Sequence, residues 1–278
     1  MHPILFSVGS FRVPTFGVLV ALGFGAAVLT IVRLGRREGL AAAQLLDLST
    51  WLILVGVVGA KVLMILTAWE SYWENPRAIF SWATLQAAGV FYGGFVAAAF
   101  FALWYTRVYR MPVLKVFDVF SPAIALGHSI GRLGCFAAGC DYGKPTNSWL
   151  GVVFTDPTSQ AFGGVPLGVR LHPAQIYESL ATLAIFGILL WRYKSKKRDG
   201  EIFWLYLVLY GVARFFLEFL RGDEDRGFVL GHALSTSQAI ALLALAAAAA
   251  LAIFSRGRSS AQEVPAAALP RAKRARGF

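Results

Sequence analysis

Seven runs of mostly apolar residues, separated by short polar segments, dominate this chain: approximately 14–32, 46–68, 90–106, 116–136, 173–191, 201–220 and 236–254. About 20 apolar residues in a helix cross the hydrocarbon layer of a bilayer, and repeated runs of that length have no place in a water-solvated fold. Composition agrees, with 57% hydrophobic and only 15% charged residues among 278; soluble domains carry about 25% charged residues. The pattern predicts an all-α integral membrane protein with about seven transmembrane helices. The third run is short, and Trp104 and Tyr105 suit an interfacial end. Met1 to Phe16 has neither a basic start nor a small-residue cleavage site, so the first run is expected to be retained as a span.

The net charge of +11 raises nucleic acid as a partner, but a nucleic-acid binder gathers its basic residues into one patch on a folded domain. Here they fall in short clusters between apolar runs. Segments 33–45, 107–115, 192–200 and 255–278 hold 17 Lys or Arg, against 6 in segments 1–13, 69–89, 137–172 and 221–235. The positive-inside rule makes the first group cytoplasmic, which puts the amino terminus outside and the carboxyl terminus inside. Residues 1–254 are expected to form one membrane-embedded domain. Residues 255–278, with Arg271, Lys273, Arg274 and Arg276 near their end, read as a disordered basic cytoplasmic tail. The longest connection, 137–172, is rich in Gly, Pro, Asn and Thr and lies outside, and loops of that length are often functional.

Ionisable residues inside spans are costly and mark either a function or a partner. Six qualify: Lys61, Asp118, Arg132, Glu178, Arg214 and Glu218. Counted from the cytoplasmic helix starts at about 1.5 Å per residue, Arg132, Arg214 and Lys61 lie roughly 24, 20 and 22 Å along their spans. Glu178 sits one turn into a span that starts outside. Asp118 alone stays near the cytoplasmic end. Tyr210, Arg214, Glu218 and Arg221 follow at steps that share one helical face. An Arg214–Glu218 pair that merely neutralises itself is one reading. Arg132, at similar depth with His128 one turn before it, supports another: two guanidiniums holding an anion between helices. Arginine's paired donors match phosphate oxygens, and a phospholipid head group is the anion found at that depth.

Gly93 and Gly94 permit close backbone approach, for a ligand or for plain helix packing. His172-Pro173, ahead of Gln175, Tyr177 and Glu178, reads equally as an interfacial cap. The histidines at 2, 172 and 232 are scattered, so no metal is expected, and no cofactor motif occurs. Cys135 and Cys140 fit neither a zinc pair nor a CxxC motif. They read as ordinary small helix residues, with a disulfide open only if they face an oxidising side.

Taken in order, these residues resemble the prolipoprotein diacylglyceryl transferase family from about Val13 to Phe254. The resemblance is carried by Phe16-Gly17, by Phe91-Tyr92-Gly93-Gly94, and most strongly by Gly131-Arg132-Leu133-Gly134-Cys135-Phe136 through Gly139 and Gly143. It continues in His172-Pro173-Ala174-Gln175-Ile176-Tyr177-Glu178, Tyr210-Gly211-Val212-Ala213-Arg214 and Glu218-Phe219-Leu220-Arg221. It implies a bacterial inner-membrane enzyme that moves diacylglyceryl from phosphatidylglycerol to the lipobox cysteine of prolipoproteins and releases glycerol 1-phosphate. Arg132 and Arg214 match the family's phosphate-handling arginines. Gly143, Glu178, Glu218 and Arg221 match further motif positions, with Gly93, Gly94 and Tyr210 on the phosphatidylglycerol side and Lys61 and His172 in support.

The chain departs from the family pattern in several places. Phe16 replaces Tyr, Tyr92 replaces His, Cys135 and Ala138 replace Asn, Cys140 replaces Glu, and Lys61 replaces Arg. Tyr92, at the usual base position, is a phenol with a reference pKa of about 10 and needs neighbours such as Arg132 to handle a proton. Neither cysteine is expected to be a nucleophile, because the substrate supplies the attacking thiol. Two other classes compete: a non-catalytic relative that binds phospholipid or precursor, and an anion transporter, which would show paired repeats or broken helices.

Overall fold

The structure, a computed structural model, describes residues 2–9, 11–81, 84, 87, 89–223, 227–229 and 234–259. His232 and the tail arginines and lysine at 271–276 lie outside the described residues. Strands β1 (Ile4–Val8) and β2 (Phe11–Pro14) form an antiparallel hairpin that leads into helix α1 (Thr15–Arg37). Then come α2 (Ala42–Thr67), the short α3 (Trp69–Glu74), a 3-10 turn (Pro76–Phe80), α4 (Phe91–Val108) and α5 (Val113–Ala138). The segment after α5 holds β3 (Val152–Val153), α6 (Pro157–Gly163) and β4 (Arg170–Leu171), with β3 and β4 antiparallel. Helix α7 (Ala174–Tyr193) precedes α8 (Glu201–Leu217), which tightens into a 3-10 turn over Glu218–Leu220. A small hairpin of β5 (Phe228–Val229) and β6 (Leu234–Ser235) precedes α9 (Thr236–Ser259).

Among the described residues, five helices are long and apolar enough to cross a membrane: α1, α2, α5, α7, and α8 with its 3-10 extension to Leu220. Helices α4 and α9 occupy the other two apolar runs. Several helices overrun the expected boundaries: α1 continues to Arg37, α5 to Ala138 and α9 to Ser259. A helix satisfies its own backbone whatever its solvent, so hydropathy marks only its apolar slab and not its ends. Large side chains such as Val58, Phe100 and Leu243 are 60%, 70% and 68% exposed. So many exposed large apolar side chains are an aggregation hazard in water and an ordinary surface in lipid. The chain is a multi-pass membrane protein.

Helix α5 is the hub, packed against α1, α7 and α8, while α2 pairs with α4 and α8 with α9. One core cluster joins Ile31, Leu34, Leu45, Leu48, Tyr105, Val116 and Val119 near the starts of α2 and α5. A second joins Ala125, Ile185, Leu189 and Ile202. The 137–172 segment has a core of its own, Phe154, Val165 and Leu171, all at or near zero exposure. This connection is a small folded cap on one end of the bundle.

Asp118, the exception in the depth comparison, has a structural task. Its carboxylate accepts the N–H groups of Gly200 (2.7 Å), Ile202 and Phe203 (2.9 Å each), and Lys196 Nζ lies 3.2 Å away. The first N–H groups of any helix lack internal partners. Asp118, fully buried on α5, therefore caps α8 from across the bundle.

Candidate active site

At the capped end of the bundle, α5 finishes, α7 begins, α8 finishes and α9 begins. Each of the four contributes a side chain to one polar cluster. Arg132, near the end of α5, places Nε 3.0 Å from Glu178 Oε2 at the start of α7. Arg214, on the last turn of α8, places Nη1 3.5 Å from the same oxygen. Its Nη2 lies 2.8 Å from Glu218 Oε2 and donates to Ser237 Oγ on α9 at 2.9 Å. Glu178 and Glu218 are both buried.

The cap closes the cluster from the other side. Arg132 Nη1 donates to Asp141 Oδ2 at 2.6 Å, and Arg221 Nη2 donates to Asp141 Oδ1 at 2.5 Å. Arg221 also holds Asp223, at 2.9 Å from Nε and 2.5 Å from Nη2. Asp141 is the more open carboxylate, with 32% of its side chain exposed. Its φ is 56°, the left-handed region, which aspartate tolerates better than most residues. Burial pushes the Asp141 carboxyl up, but Arg132 and Arg221 outweigh it and hold it below the ordinary carboxylate range. For Arg221, burial acts to lower the pKa, and Asp223 and Asp141 outweigh it and raise it.

His128 stands one turn before Arg132. Its Nε2 lies 3.1 Å from Glu178 Oε1 and 3.2 Å from Arg132 Nε. The Arg132 Nε–H donates to His128 Nε2, which makes that ring nitrogen the acceptor and leaves the ring N–H on Nδ1. The His128 ring packs against Tyr210 at 5.4 Å between centroids, and Tyr210 stacks on Tyr206 at 5.7 Å. Tyr92 lies within electrostatic reach of Tyr210, which brings α4 to the edge of the same cluster.

Three guanidiniums thus face four carboxylates, Glu178, Glu218, Asp141 and Asp223. Arg214 and Glu218 form the pair that the sequence offered as one reading, and Arg132 too is held by acidic partners, as buried charges must be. Donor capacity remains. Arg214 Nη1 is buried without a hydrogen bond of good geometry, since its nearest acceptor is the Glu178 oxygen at 3.5 Å. An anion entering between the arginines would meet it.

The other anticipated residues take different places. Gly93 and Gly94 face α2: a Cβ at Gly93 would stand 2.4 Å from the Gly59 carbonyl oxygen, and one at Gly94 2.6 Å from that of Gly56. Lys61 donates to the carbonyls of Thr84 (2.6 Å) and Ala87, tying those two residues to α2. Gly143 lies between two backbone segments, its N–H donating to His172 O at 3.1 Å while Lys144 N–H donates to Leu220 O at 2.8 Å. A Cβ there would come within 2.4 Å of the His172 oxygen. Gly143 thus holds the cap against residue 221 and keeps Arg221 beside Asp141. The His172 ring Nδ1 is 3.4 Å from the Tyr177 hydroxyl, and the residue serves the cap through its backbone. Asp141, Asp223 and Ser237 escaped the sequence reading, which looked for charges inside spans. Asp141 lies between Gly139 and Gly143, inside the strongest motif, and that position is the available signal.

Known proteins are similar to this chain along most of its length. The model of the prolipoprotein diacylglyceryl transferase family matches residues 3–254. The phosphatidylglycerol–prolipoprotein diacylglyceryl transferase of Clostridium tetani is 35% identical over 245 residues, covering 88% of this chain and 94% of the relative. Its namesake in Dehalococcoides mccartyi is 35% identical over 256 residues, covering 91% and 94%. That of Chlorobaculum tepidum is 29% identical over 279 residues, covering 95% and 93%. With the match running through every segment that builds the cluster, the chain belongs to the prolipoprotein diacylglyceryl transferase family.

Proposed function

We infer that this chain transfers the diacylglyceryl group of phosphatidylglycerol to the lipobox cysteine thiol of prolipoproteins and releases glycerol 1-phosphate. The observation that carries the reading is the family match across 3–254, joined to two arginines that share one buried carboxylate. A non-catalytic relative and an anion transporter are not favoured, since the relatives that match along the whole chain are named as transferases.

The reaction makes a C–S bond at the diacylglyceryl carbon and breaks the C–O bond to phosphate. The electron pair leaves on the phosphate oxygen, and the thiol gives up its proton. We assign Arg132 and Arg214 to the phosphate, where negative charge grows as the bond breaks and fixed donors count most. Glu178 sets the distance between the two forks. Glu218, Arg221 and Gly143 hold the frame, Tyr210 walls the head-group side, and Gly93 and Gly94 let α4 approach closely enough to bring Tyr92 to the edge. Tyr92 orients the incoming thiol, and His128, backed by Glu178, takes its proton. Lys61 and His172 support the site from a distance.

The same reading places seven spans in the bacterial inner membrane, with the amino terminus and the 137–172 cap outside and the basic tail in the cytoplasm. The 17-to-6 division of basic residues supports it. The test is complementation. A bacterial strain depleted of its own transferase should regain growth and lipid-modified lipoproteins with this chain, and failure with protein properly inserted would sink the proposal.

A further inference from the structure

Helix α5 ends in a way that brings its two cysteines together. Gly139, at φ 83°, turns the chain. The N–H groups of Gly139 and Cys140 both donate to the Cys135 carbonyl, at 2.9 and 3.2 Å. In this termination the residue two past the helix end folds back over the residue three before it, so their side chains meet. Only glycine fits the turn: a Cβ there would lie 2.8 Å from Val165 Cγ1 and 2.9 Å from Ser159 Cβ. The five-residue spacing, which fits no linear motif, is thus the spacing of a contact. Both thiols are free and half-buried, and the two sulfurs and an Asp141 oxygen lie within 4.8 Å of one another.

These three groups could also suggest a metal ion. Arg132 Nη1, however, stands 3.8 Å from Cys135 Sγ and 2.6 Å from Asp141 Oδ2. A guanidinium already occupies the side a cation would need, and the carboxylate is committed to two arginines. Covalent pairing of the sulfurs meets neither obstacle. We propose that Cys135 and Cys140 are a redox modification site, forming an intramolecular disulfide that staples the end of α5 to the loop carrying Asp141. The oxidant is a disulfide donor, R–S–S–R, of the extracytoplasmic space. One cysteine thiolate attacks it, its S–S bond breaks and the first R–SH leaves. The second thiolate then attacks the mixed disulfide and releases the second R–SH, so that two electrons and two protons pass from the enzyme to the donor. The sulfurs, within 4.8 Å of one another, would close to the ~2.0 Å of a disulfide by rotation about the two Cα–Cβ bonds. The staple holds the turn that sets Asp141 between Arg132 and Arg221. The inference rests on the sidedness proposed above, because that face alone is oxidising.

The test uses the full chain in membrane vesicles, with 2-hydroxyethyl disulfide as oxidant. Both thiols should disappear together, the tryptic mass should fall by two hydrogens, and dithiothreitol should reverse the change. The melting temperature should rise by several degrees while transfer stays within a few-fold. Cys140→Ser should show normal transfer and no oxidant-dependent shift in melting. Thiols that stay alkylatable in oxidised, folded protein would overturn the proposal, as would stoichiometric zinc in the purified chain. Labelling of the reduced protein by an impermeant maleimide only in inside-out vesicles would overturn it through the sidedness. Absence of transfer in the fully reduced wild type would instead count against the transferase reading, while the thiol counts decide this one.

Discussion

Arg132 and Arg214, carried by different helices, meet at one atom: Oε2 of Glu178, at 3.0 and 3.5 Å. Two buried guanidiniums at this separation repel each other, and the carboxylate between them offsets the repulsion. Glu178 is thereby the spacer of the phosphate site. Removing it leaves two buried cations partly uncompensated, a loss of about 3–5 kcal/mol in comparable pairs. Glu178→Ala should lower thermal stability and abolish transfer together. Glu178→Gln keeps the shape without the charge, so it should lose roughly 10–100-fold in transfer with a smaller loss of stability. Melting curves and turnover measured on the same detergent-solubilised samples check both.

The thiol proton supplies a second test. His128 Nε2 accepts from Arg132 and stands 3.1 Å from Glu178 Oε1, so an imidazolium formed there is paired at once with a carboxylate, whereas a phenol offers no such basic nitrogen. His128→Gln should cut kcat by about 10²-fold with little change in KM for phosphatidylglycerol. Tyr92→Phe should cost about ten-fold or less and act mainly on KM for the lipobox peptide. The reverse order of effects would move the base to Tyr92.

Asp118 separates structure from chemistry. Its three N–H acceptor contacts lie at the far end of the bundle from the arginines. Asp118→Ala leaves the first turn of α8 buried without its cap, at a cost of about 1–3 kcal/mol. Protein yield and melting temperature should fall, while turnover per folded molecule stays near wild type. Normal stability would show that the cap is dispensable.

The broad architecture and the meeting of Arg132, Glu178, Arg214 and Glu218 were legible in the sequence because membrane solvent is so restrictive. Apolar runs reveal helices, and a charge inside one needs a partner at its own depth. What stayed hidden depends on contacts across the chain. Nothing near Asp118 shows that it caps a helix beginning at Glu201. Lys61, at the right depth by arithmetic, turns to the carbonyls of Thr84 and Ala87, because depth along a helix leaves its facing undetermined. Gly139 before Cys140 did carry a readable signal, since glycine at a helix end brings residues five apart into contact.

Asp141 makes a pH prediction. Its folded pKa is depressed below the unfolded value of about 3.9. The stability it contributes is therefore fully present above that unfolded value and is lost as pH falls through the folded one. Wild type and Asp141→Asn should differ in melting temperature by a constant amount from pH 7 down to about pH 5. The gap should close at lower pH as Asp141 protonates in both states of the wild type. A gap that persists at the acid end would place its origin outside the Arg132–Asp141–Arg221 contacts.

The most direct test of the account is transfer by the purified protein. Wild type, incubated with phosphatidylglycerol vesicles and a lipobox peptide, should yield thioether-linked diacylglyceryl peptide and glycerol 1-phosphate in equal amounts. Arg132→Ala and Arg214→Ala, folded by melting curve, should each lose about 10²-fold or more, with lysine at either position restoring little. Transfer within a few-fold of wild type in either alanine variant, or none from folded wild type, would contradict the account.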